Sequence, residues 1–415
     1  MRLCRDALHF TRRRTDVSVR PVHVLLAWEL GANQGHVTAL GAVARELRAL
    51  GAQVTIAAQR LDALRVLRPL PEGLRVVQSP VWPGLLVTAG FQPSQTPVTF
   101  GDILANLGLR DSGVVEFMLL AWDGLLAGLR PDLVVADFAP MAQLAARGRV
   151  PVVAIGNGFT LPPCQTKVFP RLRQATPLFE EAKLLEAVNL GLMRAGGRGL
   201  DRLPDIFAAD LRLPHTFRIF DPYGSLRQEP LRAPILPGWT PTPKACGDEV
   251  FVYFSDIAAK PERIYDALAG LGQGVRLYIP NLPAPVASSL AAAGVAVESK
   301  PLTALDIARR SNLVVSHGGA GLVSMTLAAG LPQLVLAPDL EKRLIGGAVA
   351  KLGVGHLLAW REATSAQIIE AVHRLRADDE VRERAMSIAD NLAPLLSGDS
   401  ATQIAEAALR TAGRY

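Results

Sequence analysis

The feature that most constrains the fold is the order of apolar runs along the chain. Short strand-like runs alternate with helix-like stretches in two series. The first series opens with His23-Val-Leu-Leu-Ala-Trp28, a glycine-containing loop Gly31-Ala-Asn-Gln-Gly-His36, and an amphipathic stretch with Leu40, Val43, Leu47 and Leu50 at helical spacing. Gly51 stops it and Gln53-Val-Thr-Ile-Ala57 follows as a second strand, which completes one βαβ unit. The pattern resumes with a helix over 111–129, the strand Leu133–Ala136 ending at Asp137, a helix over 139–148 and the strand Val150–Ala154. Residues 176–195 read as a helix that forms a lid or an acceptor wall. The second series starts at Glu249-Val-Phe-Val-Tyr-Phe254 and runs through strands at Val275–Ile279, Val295–Val297, Asn312–Val315 and Gln333–Leu336, with helices between them. Strands alternating with helices predict parallel sheets covered on both faces. The expected fold class is therefore α/β, with two Rossmann-like domains facing each other across a cleft. The expected boundaries are a basic tail over 1–20, a first domain over 21–232, a Pro-rich linker over 233–248 and a second domain over 249–415.

Composition matters chiefly for what it excludes. At 415 residues and 49% hydrophobic, the chain can bury two large cores, so a disordered protein is excluded. The net charge of +6 suggests a nucleic-acid or membrane partner, but it is unevenly placed. Residues 1–20 hold six arginines and two acids, leaving 38 bases and 36 acids for the remainder. A near-neutral body argues against a nucleic-acid partner. The arm reads as a tail, with a weak peripheral contact to an anionic membrane left open. No uninterrupted apolar run reaches 18 residues and no secretory signal is evident, which predicts a cytoplasmic, membrane-peripheral at most, location. Cys4, Cys164 and Cys246 are too few and too far apart for a disulfide framework or a CxxC metal site.

The strongest local signal is Val314-Val-Ser-His-Gly-Gly-Ala-Gly321, an apolar strand running into three glycines and then a helix. Glycines let the backbone approach an anion closely, and a helix N-terminus offers free N–H donors. His317 at the strand tip adds a side-chain donor. Two other strand tips carry polar groups, with Asp137 in the first series and Ser255-Asp256 in the second. Open α/β sheets bind ligands at those ends.

These segments resemble GT-B nucleotide-sugar-dependent glycosyltransferases, specifically the UDP- and TDP-sugar enzymes of natural products and lipids. The resemblance rests on His317-Gly-Gly-Ala-Gly321, Ala329-Gly-Leu-Pro332, Pro338, Leu352-Gly-Val-Gly355, the Gly35-His36 pair and the strand ending at Asp137. It implies that an acceptor hydroxyl is deprotonated by His36 as general base, with Asp137 orienting the imidazole. It implies a donor diphosphate held by His317, Gly318, Gly319, Gly321 and Ser255, and a donor sugar held by Glu341 and Lys342. Partners would be a nucleotide sugar and a small-molecule or lipid hydroxyl acceptor. Transfer would invert the anomeric carbon and need neither a metal nor a separate cofactor. Departures from the family pattern are Leu322 where Thr or Ser is usual, Met325 where a ribose-binding Glu is common, and Glu341-Lys342 in place of Asp-Gln. They keep two other readings open, a non-catalytic partner protein of the same fold and a nucleotide-sugar epimerase. A dehydrogenase is disfavoured, because no strand leads into GxGxxG with an acid about 20 residues on. Trp28, Trp122 and Phe159 read as core aromatics, with an acceptor wall as the alternative.

Overall fold

The computed structural model describes residues 20–31, 34–86, 96–240, 247–255 and 262–413. Most of the basic arm, Cys4, Cys246 and Asp256 lie outside the described residues.

The first domain carries β1 (His23–Trp28), α1 (Gln34–Ala49), β2 (Gln53–Ala58), β3 (Arg75–Gln78), α2 (Pro83–Leu86), α3 (Phe100–Leu104), α4 (Ser112–Leu129), β4 (Leu133–Asp137), α5 (Pro140–Ala146), β5 (Val152–Gly156), α6 (Glu181–Arg194) and β6 (Leu211–Pro214). The second carries β7 (Glu249–Tyr253), α7 (Glu262–Leu271), β8 (Val275–Tyr278), α8 (Ala284–Ala292), β9 (Ala296–Val297), α9 (Ala304–Arg310), β10 (Ser311–Ser316), α10 (Ala320–Ala328), β11 (Gln333–Ala337), α11 (Leu340–Lys351) and β12 (Gly355–Ala359). Helices α12 (Ser365–Ala377), α13 (Asp379–Leu392) and α14 (Ser400–Thr411) follow.

Each domain holds a six-stranded parallel sheet, ordered β3-β2-β1-β4-β5-β6 in the first and β12-β11-β10-β7-β8-β9 in the second. Both orders are the doubly wound one, with the strand direction of travel reversing between β1 and β4 and between β7 and β10. The expectation of an α/β chain with two Rossmann-like sheets therefore holds. The continuous apolar runs follow from burial on both faces. In β1, Leu25 and Ala27 join a core with α4, α5 and α6, whereas Val24, Leu26 and Trp28 join the opposite core against α1. Strands β3, β6 and β12, which the sequence reading missed, are short edge strands of four or five residues.

The last helix departs from the expected domain boundary. Ala401, Ile404, Ala405 and Ala408 of α14 are buried in the first domain's core beside Val37, Leu40 and Val43 of α1. Residues 249–415 are thus not one spatial unit. The reason is the amphipathic face of α14, whose apolar stripe completes the face of the first sheet that α1 leaves part-covered. Helix α6 packs on α4 rather than standing over the cleft as a lid. Among the described residues one helix, α4, is long and apolar enough to cross a membrane by length and composition. It buries Val115, Met118, Leu119, Trp122 and Leu126 against its own domain and leaves Phe117 and Leu120 exposed.

Glu29, fully buried just after β1, ties this side of the sheet to α5. Its carboxylate accepts from Trp82 Nε1 at 2.8 Å and from the N–H groups of Met141 at 3.2 Å and Ala142 at 2.5 Å. Burial dominates and pushes its pKa up to about 7, against an ordinary 4.5. Between those values the folded chain holds a proton that the unfolded chain releases. Stability is therefore expected to fall as pH rises from about 4.5 to about 7, and to be flat beyond, by on the order of 3 kcal/mol. Denaturant unfolding of the parent and of Glu29→Gln at a series of pH values checks this. The substitution should flatten the slope over that window.

Candidate functional site

The two reversal points of the sheets carry the polar strand tips. Trp28 and Asp137 are register partners at the ends of β1 and β4, and Tyr253 and Ser316 are partners at the ends of β7 and β10. A cavity of about 350 Å³ opens between them and is lined from both domains. That volume suits a small-molecule site.

On the first-domain side, His36 sits in the first turn of α1 and Asp137 ends β4. His36 Nδ1 donates to Asp137 Oδ2 at 3.0 Å, which leaves Nε2 as the ring's lone-pair atom. The imidazole is stacked on Trp28 at 6.0 Å between centroids and tilted against Phe138 at 5.8 Å. Burial disfavours its cation, but the facing Asp137 carboxylate more than compensates, and the pKa lies above the usual 6.5. Gly31 makes room for this ring. Its φ is +90°, and a Cβ there would stand 2.4 Å from His36 Nε2.

On the second-domain side, His317 directly follows β10 and Gly319 caps α10. Gly319, Ala320 and Gly321 line the cavity at the open N-terminus of that helix. His317 is 7% exposed, and its Nε2 lies 3.4 Å from Ser255 Oγ. Burial, then the Lys342 cation, lowers its pKa to about 4, so it is a neutral donor or acceptor at pH 7. Gly318 departs from the expected role. It does not line the cavity, and its N–H already donates to Ser316 Oγ at 3.1 Å. Its contribution is conformational. It holds φ +88°, and a Cβ would come within 2.8 Å of Val335 and 3.2 Å of Lys342.

Glu341 and Lys342 also reach the cavity, but not as two independent sugar contacts. Lys342 Nζ donates to Glu341 Oε2 at 2.6 Å and lies 3.4 Å from Asp339 Oδ2. Burial opposes both charges, yet their mutual attraction wins. The Glu341 carboxyl is held below its usual range and the Lys342 ammonium above its own. The Lys342 charge is therefore met within the protein, by Glu341 and Asp339. Behind the glycine loop the wall is apolar. Met325 and Leu322, the two departures from the family pattern, line the cavity beside Leu302 and Ile307.

Among the cavity residues to which the sequence assigned no role are Gly31, Asn157 and His215. Asn157 follows β5 and His215 follows β6, so both are polar strand-tip residues like Asp137, and that position was the available signal. His215 is 8% exposed, and burial lowers its pKa to about 4. Trp28, Trp122 and Phe159 are core aromatics outside the cavity lining. Among the described residues, no group of three or more His, Cys, Asp or Glu side chains is placed to hold a metal ion.

Residues 262–407 match the family model of the C-terminal domain of erythromycin biosynthesis protein CIII-like proteins. Over 80 residues the chain is 31% identical to the NDP-glycosyltransferase YjiC of Bacillus subtilis (strain 168), covering 19% of this chain and 20% of that protein. The chain thus matches between a fifth and just over a quarter of the length of its curated relatives. Among solved structures, it is similar to CalG4, the calicheamicin glycosyltransferase, with a TM-score of 0.66 at 23% identity, over 94% of this chain and 99% of that one. It is also similar to the glycosyltransferase VinC, solved in complex with dTDP, with a TM-score of 0.62 at 16% identity, over 95% and 100%. The structural likeness establishes the two-domain GT-B fold across nearly the whole chain. The resemblance read from the His317–Gly321 loop is upheld.

Proposed function

We propose that the chain is a glycosyltransferase that moves a sugar from a nucleoside diphosphate sugar to a hydroxyl of a small-molecule acceptor. The observation that carries this reading is that the His36–Asp137 pair and the His317 loop face one cavity from two domains. The acceptor oxygen approaches His36 Nε2, which takes its proton as the oxygen attacks the anomeric carbon. Asp137 keeps the proton of the neutral ring on Nδ1 and stabilises the imidazolium that forms. The leaving diphosphate lies at the N-terminus of α10, where free N–H groups, the helix dipole and neutral His317 meet its charge. These donors make a metal unnecessary, and one in-line displacement inverts the anomeric carbon. Support for the donor class comes from the NDP-glycosyltransferase relative and from VinC, which was solved with dTDP.

Calorimetric titration with dTDP and UDP tests the donor half. His317→Ala is expected to weaken diphosphate binding by about 10- to 100-fold, the effect of one hydrogen bond to a charged group of about 1.5–3 kcal/mol. Equal affinity in parent and variant would remove His317 from the site. Product analysis with and without an acceptor separates the remaining readings. An epimerase would convert the sugar nucleotide with no acceptor present, and a non-catalytic protein would bind it without turnover.

A further inference from the structure

Asn157 belongs to the first domain, yet its side chain ends on the second. Its Oδ1 accepts from the Thr160 backbone N–H at 3.1 Å and from Thr160 Oγ1 at 3.2 Å. That turn consumes the carbonyl end of the carboxamide and commits its NH₂ to the cleft. There Nδ2 donates to Glu341 Oε1 at 2.8 Å. The other Glu341 oxygen, Oε2, accepts from Lys342. The carboxylate is thus gripped at both oxygens, one from each domain, and Glu341 lines the same cavity as His36; each carboxylate oxygen has capacity to accept a further bond. Leu340, the preceding residue, is buried in the first domain's core, so the start of α11 is docked there by packing as well.

We propose that Asn157 is a positioning residue of the donor-sugar site, supplied by the acceptor domain, which fixes Glu341 in the orientation that reads the sugar hydroxyls. The donor site is then complete only when the two domains close on each other. A nucleoside diphosphate, which ends at the glycine loop, is indifferent to this contact, whereas a sugar attached to it is not. The inference rests on the glycosyltransferase reading, and its test separates the two.

Titration calorimetry of the full chain compares dTDP and UDP with their glucose, galactose and rhamnose conjugates. In Asn157→Ala the tightest-binding conjugate is expected to lose about tenfold in affinity, with the bare diphosphate unchanged within twofold. Asn157→Asp keeps the acceptor that forms the turn with Thr160 but has no proton to give Glu341. It is expected to lose at least as much as the alanine variant, because it keeps the turn but sets a second carboxylate against Glu341. The proposal is overturned by an Asp variant with parental affinity, by equal weakening of diphosphate and conjugate, or by a parent that binds no conjugate more tightly than its diphosphate. A parent that binds neither diphosphate overturns the glycosyltransferase reading, and this inference with it.

Discussion

Replacing His36 with alanine is expected to lower kcat by about 10²–10⁴-fold while the fold and diphosphate binding persist. The loss is that of a general base removed from the attacking oxygen. The diphosphate cradle lies on the other domain and does not touch His36, so titration with dTDP should match the parent. Asp137→Asn should cost a similar factor, because the amide can present its NH₂ to Nδ1 and favour the wrong tautomer. The pH profile adds a sign. His36 works as the neutral ring, and its pKa is raised above 6.5 because the Asp137 carboxylate outweighs burial. Activity is therefore expected to fall on the acid side with an apparent pKa above 6.5. Asp137→Asn removes the charge that raises it, so the acid limb should move to lower pH even as kcat drops. An acid limb in the same place in both proteins would assign it to another group.

Gly31→Ala is the second substitution expected to have a large effect, although no atom of Gly31 takes part in the chemistry. At φ +90° an alanine is strained by roughly 1–2 kcal/mol. Its Cβ would also stand 2.4 Å from His36 Nε2, a separation no contact tolerates. The ring must swing away from a seat defined by Trp28, Phe138 and Asp137. A displacement of about 1 Å at a reacting group can cost about 100-fold. The expected result is a kcat at least that much lower, with a loss of stability of no more than a few kcal/mol. Gly35, by contrast, has open space around its Cβ position. Gly35→Ala should retain most activity, which separates a steric cause from a general intolerance of the loop.

The roles that were legible in the sequence were those set by neighbours along the chain. Apolar runs ending at Trp28, Asp137 and Ser316 named the strands, and the residues beyond them named the tips. His36 and His317 stood out because each follows or precedes a glycine at a strand-to-helix turn. What could not be read depends on the other domain. Nothing around Asn157 signals that its amide meets Glu341, because the two residues are 184 positions apart. Nor does the Glu341-Lys342 dipeptide reveal that its two charges pair with each other. Gly318 looked like an anion contact by motif, yet its N–H turns back to Ser316 and its missing Cβ serves the packing of Val335. Strands β3, β6 and β12 were hidden for a simpler reason, since an edge strand need not be apolar on both faces.

The placement of α14 bears on how the protein is made. Thr402 hydrogen-bonds Glu46 across 356 positions of chain, and Ile404 and Ala405 complete the core that α1 begins. A ribosome delivers α1 long before α14. During all of that interval the first sheet has one face only partly roofed, with apolar surface open to solvent. The domain synthesised first therefore depends for its completion on contacts of very long sequence separation, the kind whose loop-closure cost slows folding.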